Sequence, residues 1–246
     1  METYKCHKWK RTTVTGKTEN NHELVRKIFA HTGKSYDLVV KATTFWQDNR
    51  WKRRILEIAD LCRNPRRVLD LACGTGIVTV ALARKFPHST VVGMDLQEEY
   101  LAYAKEKKAE CGIENVEFYE RSAEDAKEGV YDLITASYLP KYVDLNLVIG
   151  NCSKMMKPGG LLIFHDFTHP KSMVFKLIYH FYWLFLRAVL WLSASWKEMG
   201  KELKGIIAKT EWVDEIQNAL KTHGFSDIHV EIQKFQIAAI VYARKQ

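Results

Sequence analysis

The sequence predicts an α/β protein with a doubly wound, mostly parallel seven-stranded sheet and a helical cap, and three observations carry that prediction. From residue 67 onward, short apolar runs alternate with stretches of helical pattern. The first run ends in a glycine-rich turn, Asp70-Leu-Ala-Cys-Gly-Thr-Gly76, that opens a helix. The chain closes on two apolar runs joined tightly, as in an antiparallel hairpin. Such alternation implies parallel strands covered by helices on both faces.

Residues 1–21 are polar and basic without periodicity, and a flexible arm is expected there, ahead of one domain over 22–246. An N-terminal helical region, 22–64, contains helical patterns at 24–29 and 45–61, where Trp46, Trp51, Ile55, Ile58 and Leu61 fall near one face. Strands are expected at 67–71, 90–95, 116–119, 131–136 and 160–165, with helices at 77–86 and 98–111 between them. A helix over 211–223, with Thr210 as N-cap and Gly224 as stop, leads to strands at 228–234 and 236–243.

With 246 residues, 47% of them hydrophobic, the chain is long enough to bury one large core. A net charge of +8 suits an anionic partner, either nucleic acid or an acidic membrane surface. Cys6, Cys62, Cys73, Cys111 and Cys152 are odd in number and form no Cys-x-x-Cys pair. That pattern predicts reduced thiols and a cytoplasmic location, and argues against a zinc site or a disulfide framework. The basic residues near the N-terminus have no apolar run behind them, so no secretory signal is expected.

The turn carries the first chemistry. Gly74 and Gly76 let backbone approach a ligand closely, because glycine has no side chain in the way. A dinucleotide fingerprint would place a third glycine at position 79, which is Thr79 here. Asp95 follows Gly76 at the spacing of a carboxylate that accepts both hydroxyls of a ribose. Asp70, the small Ala72, Gly74, Gly76 and Asp95 together fit a methyl-donor nucleoside better than a dinucleotide, although Asp95 also stands where a helix cap would. Leu96, beside Asp95, and Ser137, at the end of the fourth run, are placed in the same site. Ser122 and Ala123 would border the adenine, while Glu124 and Asp125 read equally as a solvated acidic turn.

In these residues the sequence resembles the class I, Rossmann-like methyltransferases, and more narrowly the ubiquinone/menaquinone biosynthesis C-methyltransferase family. Three stretches carry the likeness: Val25-Arg-Lys-Ile-Phe-Ala30 with Tyr36-Asp-Leu and Trp51-Lys-Arg-Arg54; Thr135-Ala-Ser-Tyr-Leu-Pro-Lys-Tyr-Val143 with Met156-Lys-Pro-Gly-Gly160; and Phe164-His-Asp-Phe-Thr-His-Pro170. The chain departs from the family at Val40, Thr44, Trp46 and Lys141, where the family has Asn, Ser, Gly and Arg. The resemblance implies that S-adenosyl-L-methionine is the donor, with S-adenosyl-L-homocysteine as product and no metal. It also implies that Tyr36 and Thr44 help close over the donor.

Methyl transfer is an in-line displacement, so the protein mainly aligns two reactants and excludes water. Methylating a ring carbon of a hydroquinone also requires the ring hydroxyl to lose its proton, which needs a base or a cation near that oxygen. The candidates are Lys141, Tyr138, His165 and Asp166. Lys141 would stabilise a phenolate as a point charge, and His165 is expected to titrate near neutrality and relay the proton.

Residues 174–192 form the most hydrophobic stretch, close to the ~20 residues of a membrane span but interrupted by Lys176, His180 and Arg187. At about 100° per residue these three share one narrow helical face. The region 171–205 is therefore expected to cap the substrate site or to lie on the cytoplasmic face of a membrane as a peripheral contact, with a buried helix or a dimer interface as the other readings. The reading is a methyltransferase acting on a lipophilic small molecule, a polyprenyl quinol by the resemblance. Two alternatives stay open: a phospholipid headgroup amine or other small amphiphile as acceptor, and a non-enzymatic, nucleic-acid-associated basic protein. The second lacks a dense Lys/Arg cluster interleaved with aromatics, so no nucleic-acid partner is expected.

Overall fold

Apolar runs without strict alternation, such as Arg67-Val-Leu-Asp-Leu71, become the parallel centre of the sheet because helices cover both of their faces. The computed structural model describes residues 16–190 and 194–246. Helices α1 (Gly16–Phe29), α2 (Gly33–Thr43) and α3 (Gln47–Ala59) come first. β1 (Arg67–Leu71), α4 (Ile77–Lys85), β2 (Thr90–Asp95), α5 (Glu98–Glu110), β3 (Val116–Glu120) and β4 (Tyr131–Ser137) follow. Next come α6 (Leu145–Met155) and β5 (Met156–Phe167), then α7 (Met173–Leu190), α8 (Ala194–Lys209), α9 (Trp212–Thr222), β6 (Phe225–Ile232) and β7 (Ala238–Lys245).

The seven-stranded sheet has the order β3-β2-β1-β4-β5-β7-β6. β1 to β5 are parallel, and β7 enters antiparallel between β5 and β6. Successive residues feed opposite faces. Val68, Leu133, Ile163 and Ile240 pack with Ile55, Ile58 and Leu82 on one side, while Leu69, Ile134, Phe164 and Val241 pack with Ile149, Trp212 and Ile216 on the other. The winding reverses between β1 and β4, which opens a crevice at the carboxyl ends of these strands.

Helix α1 begins at Gly16, inside the segment expected to be an irregular arm; residues 1–15 lie outside the described residues. Helix α2 was not legible in the sequence, because its apolar residues Leu38, Val39 and Val40 are consecutive rather than periodic. The expected helix at 45–61 starts only at Gln47, since Phe45 and Trp46 take left-handed φ values of 49° and 59° and turn the corner from α2 to α3. Bulky residues adopt this conformation rarely. Both are largely exposed, and the Phe45 ring lies 6.0 Å from Phe185 of α7 in a stacked arrangement. The expected cap at Thr210 falls one residue early: Glu211 is the N-cap and makes no side-chain capping bond, while Thr210 Oγ1 accepts the Trp212 N–H at 3.4 Å from just outside the helix.

Helix α7 divides its apolar surface. Tyr179, Trp183 and Leu186 are buried with Ile207 of α8, whereas Val174, Leu177, Phe181, Leu184 and Phe185 are exposed. Lys176, His180 and Arg187 run along the edge between these two stripes and are exposed as well. The end of the hydrophobic stretch, 191–193, lies outside the described residues. Among the described residues no helix is long and apolar enough to cross a membrane. The cap is fastened to the first helices by Tyr182, whose hydroxyl donates to the Thr43 carbonyl at 2.6 Å, and by Trp196, whose Nε1 donates to Ser35 Oγ at 3.0 Å.

Candidate functional site

Two cavities meet at the carboxyl ends of the parallel strands. The first encloses about 1000 Å³ up to its mouth. Of the residues expected to hold a donor, Tyr36, Asp70, Ala72, Gly74, Asp95 and Leu96 line it, as do Ser122, Ala123 and Ser137. Gly76 does not. Its φ is 76°, and a Cβ there would come within 2.9 Å of Ala104 Cβ, so its role is to let the start of α4 pack on α5. At Gly74 a Cβ would meet nothing nearer than 3.8 Å, so bare backbone faces the open space. Ala72 keeps a left-handed φ of 53° beside it, a strained position for a residue with a Cβ.

Asp95 does two jobs. Its carboxylate accepts the Gly74 N–H at 2.8 Å on one oxygen and the Gln97 N–H at 2.8 Å on the other, which clips the glycine turn to the start of α5. Each oxygen keeps a second acceptor site, so the pair can still receive two hydroxyls. Burial pushes this carboxyl up to about 6, against the pull of the backbone donors. Asp70 is also pushed up to about 6 by burial, and its two oxygens accept from Thr79 Oγ1 at 2.6 Å and Thr135 Oγ1 at 2.8 Å. Thr79, which occupies the place of a dinucleotide turn's third glycine, is therefore what holds Asp70. Thr79→Val is expected to lower stability by about 1–3 kcal/mol, because a buried carboxylate loses a donor. Thermal unfolding would show this as a Tm lower by roughly 5 °C.

The side of the first cavity formed by the loop after β3 is closed by α1. His22 Nε2 contacts the buried carboxylate of Glu124 and lies 3.2 Å from Ser122 Oγ. Glu124 is only 1% exposed, so of the two readings of the acidic turn the solvated one does not hold for it. His22 was not legible as a site residue, since nothing local in the sequence ties α1 to the loop after β3.

The second cavity, about 820 Å³, is walled largely by aromatic and aliphatic side chains of α2, α7 and α8. Phe29, Tyr36, Tyr138 and Tyr142 line both cavities and form the boundary between them. Thr44 lies in the second cavity rather than the first, its Oγ1 donating to the Val40 carbonyl at 2.7 Å. Lys141 also lines the second cavity. Its ammonium contacts Asp166, both side chains are almost fully buried, and it sits 4.4 Å from the centre of the Tyr142 ring. Burial pulls Lys141 down and pushes Asp166 up, and each opposes the other's drift. Among the described residues, the buried Tyr142 hydroxyl at this boundary has no hydrogen-bond partner, nor does that of Ser137 in the first cavity.

His165 corrects the expectation placed on it. It is fully buried between Trp51 and Tyr138, with ring centres 5.3 and 4.9 Å away, and lines neither cavity. Burial lowers its pKa to about 3, so it is neutral at physiological pH and does not relay protons by titrating there. Strand alternation sends His165 and Asp166 to opposite faces of β5, and only the tertiary packing shows which face meets the cavity.

Two charged residues escaped the sequence reading. Asp48 is fully buried and accepts from the Tyr138 hydroxyl and from Lys52 Nζ, each at 2.7 Å. Lys52 lines the first cavity. A signal existed, because Asp48, Trp51, Ile55 and Ile58 fall on one helical stripe, and that stripe is the buried one.

The profile of the ubiE/COQ5 methyltransferase family matches residues 17–245. A ubiquinone/menaquinone biosynthesis C-methyltransferase UbiE of Geobacter sulfurreducens is 29% identical over 230 residues, covering 91% of this chain and 89% of the relative. A demethylmenaquinone methyltransferase of Staphylococcus aureus is 27% identical over 231 residues, 92% of this chain and 95% of the relative. Among solved structures, magnesium protoporphyrin IX methyltransferase (ChlM) from Synechocystis PCC 6803 with bound SAH superposes with a TM-score of 0.61 at 16% identity. That match covers 92% of this chain and all of the other, and is a likeness of fold.

Proposed function

The chain belongs to the ubiE/COQ5 methyltransferase family, and on that premise we propose that it methylates a ring carbon of a polyprenyl quinol of the ubiquinone/menaquinone type. It is an S-adenosylmethionine-dependent methyltransferase. The first cavity fits the donor: exposed backbone at Gly74, the Asp95 carboxylate with acceptor capacity to spare, and the partnerless Ser137 hydroxyl. When bound, the donor supplies an electrophilic methyl group on a sulfonium.

The observation that carries the acceptor class is the second cavity, aromatic and apolar, separated from the first only by a shared wall. A flat ring lying there would be clasped by aromatic rings and oriented by few polar groups, as apolar ligand sites are. The Tyr142 hydroxyl is placed to hydrogen-bond a ring oxygen, and the buried Lys141 charge favours that oxygen as a phenolate. Holding Asp166 against it keeps this ammonium in place.

The exposed stripe of α7 supports peripheral contact with a membrane, where such an acceptor resides. Apolar side chains flanked by Lys176, His180 and Arg187 present the pattern of a helix lying in an interface, and Phe45 and Trp46 widen the patch. Two measurements test the reading. Incubation with donor and an extracted lipid pool should add one methyl mass to a quinol, and no methyl gain on any quinol would overturn the acceptor class. The protein should float with vesicles containing acidic lipid, and Phe181→Glu should weaken flotation. A protein that stays at the bottom with every vesicle, or buries this face in a stable dimer, would overturn the membrane contact.

A further inference from the structure

We propose that Asp48 is the proton acceptor behind the acceptor's hydroxyl, reached through Tyr138. This rests on the reading of the acceptor as a quinol. Tyr138 stands where the two cavities meet, and its hydroxyl donates to Asp48 Oδ1 at 2.7 Å. Its oxygen then has its own lone pairs free to accept a hydrogen bond from a ring hydroxyl. Tyr138 itself is held with a left-handed φ of 61°, and its ring is stacked on Phe167 at 4.9 Å, so the phenol is fixed rather than mobile. Asp48 is fully buried and lines neither cavity. A buried carboxylate away from ligand needs a counter-charge, and Lys52, one helical turn on, supplies it at 2.7 Å. The other oxygen of the carboxylate is the one that meets Tyr138.

Three neighbouring titratable groups, Lys141, His165 and Tyr36, do not compete for this role. The Lys141 ammonium, held by Asp166, is a cation that accepts no proton, and His165, packed on the Tyr138 ring, meets neither cavity. Tyr36 lines both cavities. No hydrogen bond links it to a carboxylate among the described residues, whereas Tyr138 has one.

The step balances without an added reagent. The ring O–H breaks, its proton passes to Tyr138 Oη, and the Tyr138 proton passes to Asp48. The released pair makes the neighbouring ring carbon nucleophilic, and as that carbon forms its bond to the methyl group the methyl–sulfur bond breaks and its own electron pair stays on sulfur. The ring carbon then loses its own hydrogen as a proton, the Asp48–Tyr138 pair returns a proton to oxygen, and the quinol is restored. One proton is released overall.

Asp48 acts through Tyr138 and is a positioning and proton-holding residue, so its test must separate proton transfer from scaffolding. Asp48→Asn and Tyr138→Phe would be assayed with two short-chain quinols, one weakly acidic and one carrying an electron-withdrawing group that leaves it ionised at the assay pH. Each variant should lower kcat on the weakly acidic quinol by roughly 10²-fold with KM little changed, the usual size of a lost general base. On the ionised quinol the loss should shrink to about tenfold or less, since no proton remains to be removed. Equal losses on both quinols in a variant with wild-type Tm would overturn the proposal in favour of a structural role, and so would no loss. Should one variant fail to fold, the other still decides, because Tyr138→Phe deletes a single oxygen. A wild-type protein that methylates neither quinol would overturn the acceptor reading itself, before any variant is compared.

Discussion

Asp95→Ala is expected to weaken binding of S-adenosylmethionine about 10³-fold. Two hydrogen bonds from ribose hydroxyls to an ionised carboxylate are each worth about 1.5–3 kcal/mol, and a loss near 4 kcal/mol corresponds to that factor. The substitution also frees the Gly74 and Gln97 N–H groups that Asp95 holds at 2.8 Å, so part of the loss comes from a looser turn. Titration calorimetry separates the two contributions when Asp95→Asn, which keeps one acceptor, is measured alongside. A loss below about tenfold in Asp95→Ala would reduce Asp95 to a clip of the turn.

The same residue makes donor binding depend on pH. Burial holds the Asp95 carboxyl at about 6 in the folded protein. Protonation there converts an acceptor into a donor, so affinity should fall as pH drops through about 6, and the fall should be absent in Asp95→Asn. Asp70 titrates in the same range, but Thr79 and Thr135 occupy its oxygens, so the variant isolates Asp95. For stability the sign is opposite. Both carboxyls lie above an unfolded value of about 3.9, so their contribution is complete below that value and is lost as pH rises through about 6. Donor should therefore raise Tm more at pH near 7 than at pH near 5, where the carboxylate it binds is partly protonated.

Asp166→Ala is expected to cost about 3–5 kcal/mol of stability, because it leaves the Lys141 ammonium buried with no counter-charge. For a chain of this size that is a Tm lower by about 10 °C. Burial already pulls Lys141 below its ordinary value while Asp166 pulls it back, so removing Asp166 lowers it further. An ammonium depressed by folding binds fewer protons folded than unfolded, so stability rises with pH through that interval. The deficit of Asp166→Ala should therefore be largest at neutral pH and narrow toward alkaline pH. Asp166→Leu combined with Lys141→Met should regain most of the stability yet remain slow in turnover if the Lys141 charge serves the acceptor. A single variant melting within about 2 °C of wild type would mean that water reaches the ammonium.

Legibility followed distance along the chain. The glycine turn lies within one strand-turn-helix unit plus the next strand end, so the gathering of Asp70, Ala72, Gly74 and Asp95 around one cavity could be read from spacing alone. Lys141 and Asp166 were each visible as candidates, but their contact requires β4 and β5 to be neighbours, with Ser137 level with His165. Thr44 and Tyr36 looked alike in sequence, and tertiary packing put Thr44 in the second cavity alone while Tyr36 lines both. Asp48 was passed over because an isolated carboxylate in a helix is normally solvated. Its position on the stripe of Trp51 and Ile55 was the available warning.

By itself the sequence determined the parallel α/β class, the closing hairpin, the glycine turn at the end of β1 and the amphipathic character of α7, since each follows from local periodicity or from glycines at a strand end. Only the tertiary structure decided which side of each strand faces ligand, that His165 is a buried neutral ring, that α7 keeps one apolar stripe exposed, and that Tyr138 reaches Asp48 across 90 residues. The reason is physical. Local patterns bias the backbone of nearby residues, whereas burial, pairing and pKa depend on groups that become neighbours only when distant elements pack.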